Sequence, residues 1–195
     1  TQNNDASGST TTTTGGVDGL RGLDSYAIST TAAAYGTSGT GDSNGRHTIL
    51  GVDVGSALTY NGIVRLASAM PPQYWHIPGT TWMMHPLTLQ SIRELRDSQQ
   101  LPVFLDVGLE GEEYLFGWKV ITNPYMDYID GSTLTGTNFI YLANWPRFYT
   151  VGDTEEMKIQ MMEQTAPGFV TIFAEKRVVS TILDPFAGVC LGTPA

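Results

Sequence analysis

The last third of the chain carries two long runs with a two-residue period, separated by a five-residue turn segment. In the first, Met157, Ile159 and Met161 alternate with Lys158, Gln160 and Met162. The second, Phe169 to Leu183, is rich in Val, Ile, Phe and Thr. Between them stands Gln164-Thr165-Ala166-Pro167-Gly168, where proline and glycine punctuate the pattern. A period of two sends successive side chains to opposite faces of extended backbone, so the segment is expected to form a long β-hairpin.

Upstream the period changes to that of a helix. Leu58, Ile63, Leu66, Ala67 and Met70 fall mostly on one stripe, with Ser56 as the expected cap and Pro71-Pro72 as the stop. Thr80 to Met84 is short and apolar, which suits a buried strand. His85-Pro86 then opens a second helix ending by Ser98, its stripe set by Leu89, Ile92 and Leu95 or Arg96. Val103 to Leu105, Tyr114 to Ile121 and Phe139 to Leu142 read as strands between Gly, Asp and Pro punctuation. Helices and strands in separate blocks make an α+β fold. The N-terminal stretch differs. Thr1 to about Gly16 is polar, with five threonines from Thr10 to Thr14, and cannot bury enough apolar area to order itself. After a short apolar island (Leu20, Leu23, Tyr26, Ile28) a second Gly/Ser/Thr tract follows, and regular structure is expected from about Ile49.

Charge narrows the function classes. The 195 residues carry 10 basic and 19 acidic side chains, a net charge of −9. Phosphate backbones repel such a surface, so sequence-specific nucleic-acid binding is not expected. Only 15% of residues are charged, against about 25% in an average domain. Gly, Thr and Ser fill the deficit, which suits strands, turns or surfaces hidden against partners. No sustained apolar run spans a membrane. Cys190 is the single cysteine and cannot form an internal disulfide. The sequence opens at Thr1 in a polar tract, which reads as processed or cut from something longer.

Catalytic signatures are searched for and not found. Gly41-Asp42-Ser43-Asn44 has a serine in a hydrolase-like context, but no strand precedes it and the last histidine, His85, comes too early to serve as its base. His76 and His85 with Asp106 or Glu110 fit no zinc spacing. Asp106, Glu110, Glu112 and Glu113 include enough carboxylates for glycoside chemistry, yet they sit in a Gly-bearing loop that reads as a solvated segment. Expected, therefore, are no enzyme, no metal and no cofactor.

From Ile63 onward the sequence resembles the C-terminal half of a tailed-bacteriophage major capsid protein of the Hong Kong 97 fold. Met70-Pro71-Pro72-Gln73-Tyr74, Thr81-Trp82-Met83-Met84-His85-Pro86 and Ile92-Arg93-Glu94-Leu95-Arg96-Asp97 are similar to helix, strand and helix of that family's axial domain. Leu115-Phe116-Gly117-Trp118-Lys119-Val120-Ile121 resembles its Leu-hydrophobe-Gly-aromatic-Pro-Val-Val strand, with Lys119 in place of proline. Ala143 to Val151 resembles a later Gly-Asp-aromatic-x-x-aromatic block, with Ala143-Asn144 in place of Gly-Asp, Phe169 to Val178 the returning strand of the peripheral domain, and Asp184-Pro185-Phe186-Ala187 the lead into the last strand. The order of these blocks, more than any one of them, carries the likeness.

The resemblance implies an axial domain at 49–152 and 184–195, a peripheral-domain hairpin at 153–183, and a flexible lead-in and variable region at 1–48. It implies a self-assembling icosahedral head shell around a dsDNA genome, located in the virion and assembled in the bacterial host cytoplasm. Partners would be copies of the chain in pentamers and hexamers, with scaffolding, portal, prohead protease or decoration proteins besides. Subunit-interface positions would be Asp106, Glu110, Glu112 and Glu113 near a capsomer axis, and Pro167, Gly168 and Glu175 on the arm. The family's N-terminal arm, extended loop and spine helix have no counterpart here, which suggests a fragment. Some members cross-link subunits between Lys and Asn with help from Glu; the Glu falls on Glu175, but the Asn position is Gly168, so cross-linking is not expected. Two other readings stay open: an encapsulin-like compartment shell, and an extracellular β-rich binding module.

Overall fold

Seven consecutive residues, Asn138–Asn144, form a strand in which every residue is buried. Such a strand needs hydrogen-bonding neighbours on both edges and cover on both faces. The computed structural model describes residues 22–23, 26, 28–29, 48–53, 57–95, 106–107, 113–130, 133–135, 138–153, 157–166, 169–176 and 178–192. In chain order its strands are β1 (Ile28–Ser29), β2 (Ile49–Asp53), β3 (Thr80–Met84), β4 (Asp106–Val107), β5 (Glu113–Leu115), β6 (Trp118–Thr122), β7 (Tyr128–Asp130), β8 (Thr133–Thr135), β9 (Asn138–Asn144), β10 (Tyr149–Asp153), β11 (Lys158–Ala166), β12 (Phe169–Glu175), β13 (Val178–Ile182) and β14 (Gly188–Gly192). The α-helices are α1 (Tyr60–Ala69), α2 (Pro86–Glu94) and the single turn α3 (Trp145–Phe148), with short 3-10 turns at Pro72–Tyr74 and Pro185–Ala187.

Eight strands make one mixed sheet in the order β1-β2-β14-β9-β3-β6-β5-β4. β9 lies inside it, antiparallel to β14 on one side and to β3 on the other. The register places Ile140 and Leu142 beside Trp82 and Met84 of β3 and Val189 and Leu191 of β14. These large side chains share one face, and all six are fully buried. The expected strand at Thr80 to Met84 is present, buried at alternate positions as its pattern requires.

The cap of α1 lies three residues later than expected. Thr59, rather than Ser56, caps it, its hydroxyl accepting the Gly62 N–H at 3.2 Å. Ile63 and Leu66 face the core, and Pro71-Pro72 follow the end as expected. α2 opens on Pro86 with the His85 ring as its cap, Nδ1 accepting the Leu87 N–H at 3.1 Å, and it ends at Glu94. From α2, Thr88 Oγ1 accepts the Ile129 N–H at 3.0 Å and Ser91 Oγ donates to the Ile129 carbonyl at 2.9 Å. Two hydroxyls three residues apart share a helix face, and here they satisfy both backbone groups of a buried β7 residue.

The Tyr114–Ile121 run is two strands rather than one. Phe116 (φ 53°) and Gly117 (φ 85°) turn the chain back between β5 and β6, the left-handed conformation of a tight two-residue hairpin. The expected strand at 103–105 and the Gly41–Asn44 segment lie outside the described residues. Order also begins before Ile49: β1 pairs in parallel with β2, and Tyr26 is buried.

Close approach explains Gly188. A Cβ there would lie 2.6 to 2.9 Å from three atoms of the buried Phe148 ring. Gly188→Ala should lower stability by about 1–3 kcal/mol through overpacking, and adding Phe148→Leu should return part of the loss; urea unfolding of the three variants tests this.

Candidate assembly surfaces

The expected hairpin forms, and it is longer than its core. β11 and β12 pair antiparallel, with Ile159 opposite Ala174 and Met161 opposite Ile172. Directly opposed residues lie on the same face, and Val170 follows on that face by alternation. Ile159, Met161, Val170 and Ile172 are 62%, 65%, 57% and 65% exposed. The result is an apolar face turned to solvent. β13 does not extend this pair; it leaves it and runs antiparallel to β10, from Tyr149–Ile182 to Asp153–Val178. The run Phe169 to Leu183 is therefore two strands, and among the described residues the ribbon is paired at Tyr149–Asp153 with Val178–Ile182 and at Lys158–Met162 with Thr171–Glu175.

The root of the ribbon is clasped by groups from three other places in the chain. Leu183 N–H donates to the Phe148 carbonyl at 2.9 Å, closing the two strands where they leave the sheet. The Tyr26 hydroxyl accepts the Ile182 N–H at 3.3 Å. The Tyr74 hydroxyl donates to Asp184 Oδ2 at 2.5 Å, while Asp184 Oδ1 accepts the Phe186 N–H at 3.0 Å. One carboxylate thus joins the end of the ribbon to the turn after α1 and to the lead into β14. Hydrogen bonds to a charged acceptor contribute about 1.5–3 kcal/mol each.

The sequence-derived interface positions fall in two separate places. β4 pairs with β5, Asp106 opposite Tyr114, which brings the backbones of Asp106 and Glu113 onto adjoining strands. Glu113 forms an ion pair with Arg93 of α2. Its charge is therefore already compensated within the chain. Glu175 pairs with Lys158 in the ladder of the hairpin. Glu110, Glu112, Pro167 and Gly168 lie outside the described residues. His76 and His85 stand at opposite ends of β3, so they do not converge. Among the described residues no group of three His, Cys, Asp or Glu side chains could hold a metal ion, and no helix is long and apolar enough to cross a membrane.

A third surface was not legible in the sequence. α1 and the β5–β6 turn flank a cleft of about 210 Å³ lined by Val64, Ala67, Ser68, Trp75, Phe116 and Trp118. The indole N–H groups that border it point away: Trp118 donates to the Trp75 carbonyl at 3.0 Å and Trp75 to the Met70 carbonyl at 2.9 Å. Trp82, behind them, donates to the Leu115 carbonyl at 2.8 Å and meets Trp118 edge-on, ring centres 6.3 Å apart. Each of these three tryptophans satisfies its one donor internally and leaves ring surface for packing.

The clasp makes a measurable prediction. Tyr74→Phe should speed amide exchange at Ile182 and Leu183 by roughly tenfold, if about 1.4 kcal/mol of a charged hydrogen bond is lost. Exchange at β9 should stay unchanged. Hydrogen-exchange mass spectrometry resolves the two regions.

The sequence matches the phage capsid family over residues 11–193. No curated protein matches it. Among solved structures, the chain is similar to the capsid of a native GTA particle computed with C5 symmetry, with a TM-score of 0.63 and 20% identity over 93% of this chain and 58% of that one. The capsid of an empty GTA particle, also computed with C5 symmetry, gives a TM-score of 0.55 and 20% identity over 76% of this chain and 51% of that one. This chain therefore spans little more than half the length of the structures it matches. With the mixed sheet, the helices packed on it and the long ribbon, these likenesses establish the Hong Kong 97-type α+β fold, and the chain belongs to the phage capsid family.

Proposed function

We propose that this chain is a shell tile: part of a major capsid protein that assembles with copies of itself into the icosahedral head of a tailed bacteriophage and encloses its dsDNA. The carrying observation is the ribbon, whose apolar face is more than half exposed at Ile159, Met161, Val170 and Ile172. Contiguous apolar surface of this kind in a soluble chain marks a surface used against other protein. Membership of the capsid family supports a structural role rather than catalysis.

In this reading residues 49–152 with 184–195 form the axial domain and 153–183 the peripheral arm, with 1–48 leading in. Axial domains meet head to tail around five- and six-fold axes, and arms reach neighbouring capsomers. Work is done by many interfaces of modest size, each about 1,200–2,000 Å². A charge-poor surface lowers the desolvation cost of each contact, and a net charge of −9 lets the shell hold packed DNA without adhering to it. The protein resides in the virion after assembly in the host cytoplasm, where scaffolding, portal, protease or decoration proteins would be its other partners. The encapsulin-like alternative lacks a matching observation, because the two similar structures named above are capsids.

The carboxylates of the 106–113 loop set capsomer symmetry by repulsion at the axis. With Glu113 paired to Arg93, that effect rests on Asp106, Glu110 and Glu112. Replacing Glu110 and Glu112 by Gln should make capsomer stability less dependent on salt; an unchanged salt dependence in native mass spectra contradicts the role.

Placing a charge on the apolar ribbon face is the direct test of the shell reading. Ile159→Asp and Ile172→Asp should each leave the fold intact, because both positions are exposed, and should abolish particles in negative-stain microscopy. Normal particles from both variants would defeat the assignment of this face to assembly.

A further inference from the structure

The cleft between α1 and the β5–β6 turn fits neither a polar ligand nor the chain's own core. Its volume of about 210 Å³ falls below the roughly 300–1,000 Å³ of clefts that take drug-sized ligands. Its polar groups are engaged inward: the two indole donors as described, and Ser68 Oγ, which donates to the Val64 carbonyl at 2.9 Å. What remains is a slot for one apolar or aromatic side chain. Phe116 forms one wall in a left-handed backbone conformation that usually requires Gly or Asn, and the residue is 40% exposed. Tyr60 lies beside it, ring centres 6.3 Å apart. Strain held at an exposed aromatic wall points to use rather than to packing.

The same chain carries a matching knob. Tyr125 is 76% exposed, more than any other large apolar residue described. It is also presented rigidly. Its N–H donates to Asn123 Oδ1 at 3.0 Å, and Asn123 N–H donates to the Met84 carbonyl at 2.9 Å, so the turn is tied to the end of β3. Knob and cleft stand at opposite ends of β6, separated by about 13 Å of strand between Trp118 and Thr122, so Tyr125 does not occupy its own cleft. Two different complementary patches on one molecule are what a head-to-tail contact uses, and a ring closes when the rotation allows it.

Charge agrees with this pairing. Arg65 of α1 is exposed and stands three residues before Ser68, a spacing that makes the two neighbours on the helix surface, so a cation lies next to the cleft lining in a chain that has few. Asp127 follows Tyr125 by two residues, and Asp130 is exposed at the end of β7. The charges beside the knob and beside the cleft are thus opposite in sign.

We propose that the cleft receives Tyr125 of a second copy, making a head-to-tail anchor between neighbouring tiles. The proposal rests on the shell reading and gives it a specific contact. A buried Tyr removes about 150–250 Å² from water, well under the roughly 800 Å² per partner of a stable pair. The anchor therefore acts within a wider edge, holding the ring without making free subunits dimerise strongly.

The test mixes two full-length variants under assembly conditions, one carrying Ser68→Cys and the other Tyr125→Cys. The native Cys190 is buried. A short bis-maleimide should give a cross-linked dimer from the mixture and none from either variant alone. Separately, Tyr125→Ala and the cleft-filling Ala67→Trp should each raise the concentration for half-assembly by roughly tenfold or more, as for an interface hot spot, while Tyr125→Phe assembles like the unaltered chain. Particles that form normally from Tyr125→Ala and Ala67→Trp, with no mixed dimer, overturn the anchor and leave the shell reading standing. An unaltered chain that forms neither rings nor particles overturns both.

Discussion

Burial of β9 along its whole length constrains everything around it. A strand with no exposed residue cannot lie at an edge, because its N–H and C=O groups would be left without partners in a dry environment. β14 and β3 supply those partners, although one comes from the last residues described and the other from well before β9. Closing such contacts costs chain entropy, which the apolar face shared by Ile140, Leu142, Trp82, Met84, Val189 and Leu191 offsets by burial. The other features are attached to this block. α1 packs against β2 and β14, the ribbon departs through α3 after β9, and it returns through the Pro185–Ala187 turn into β14.

The distribution of apolar side chains separates the two parts of the molecule. In the sheet most large apolar residues are buried, and the indole N–H groups of Trp75, Trp82 and Trp118 are turned to carbonyls. In the ribbon, residues of the same kind face solvent on both strands. A chain with normal hydrophobic content and few charges has thus divided its apolar surface between an internal core and an external face. That division is the physical basis for reading it as a tile. The clasp at the ribbon root fits the same view, because a contact face transmits force only when its stem is held.

Much of the element content was legible from local pattern. The strand at Thr80–Met84, the second helix opening at Pro86 with His85 as its cap, and the hairpin around Ala166 all follow from period, capping and turn chemistry. The misplaced boundaries have local causes too. Ser56 and Thr59 both offer a capping hydroxyl, and only the packing of Ile63 and Leu66 chose the second. The break at Phe116-Gly117 was hidden because a phenylalanine there runs against the usual turn preference. The pairing of Glu113 with Arg93 joins residues twenty positions apart and left no trace in the local pattern.

The amino-acid order settled the class of the molecule through periods of two and three to four residues, because alternation and helical spacing are properties of neighbours along the chain. Order of strands, the clasp of Tyr26, Tyr74 and Asp184, and the cleft built from residues 64 to 118 were decided by folding alone. Each joins groups far apart in sequence, and the energy that selects them is the burial and hydrogen bonding available only after the chain has come together.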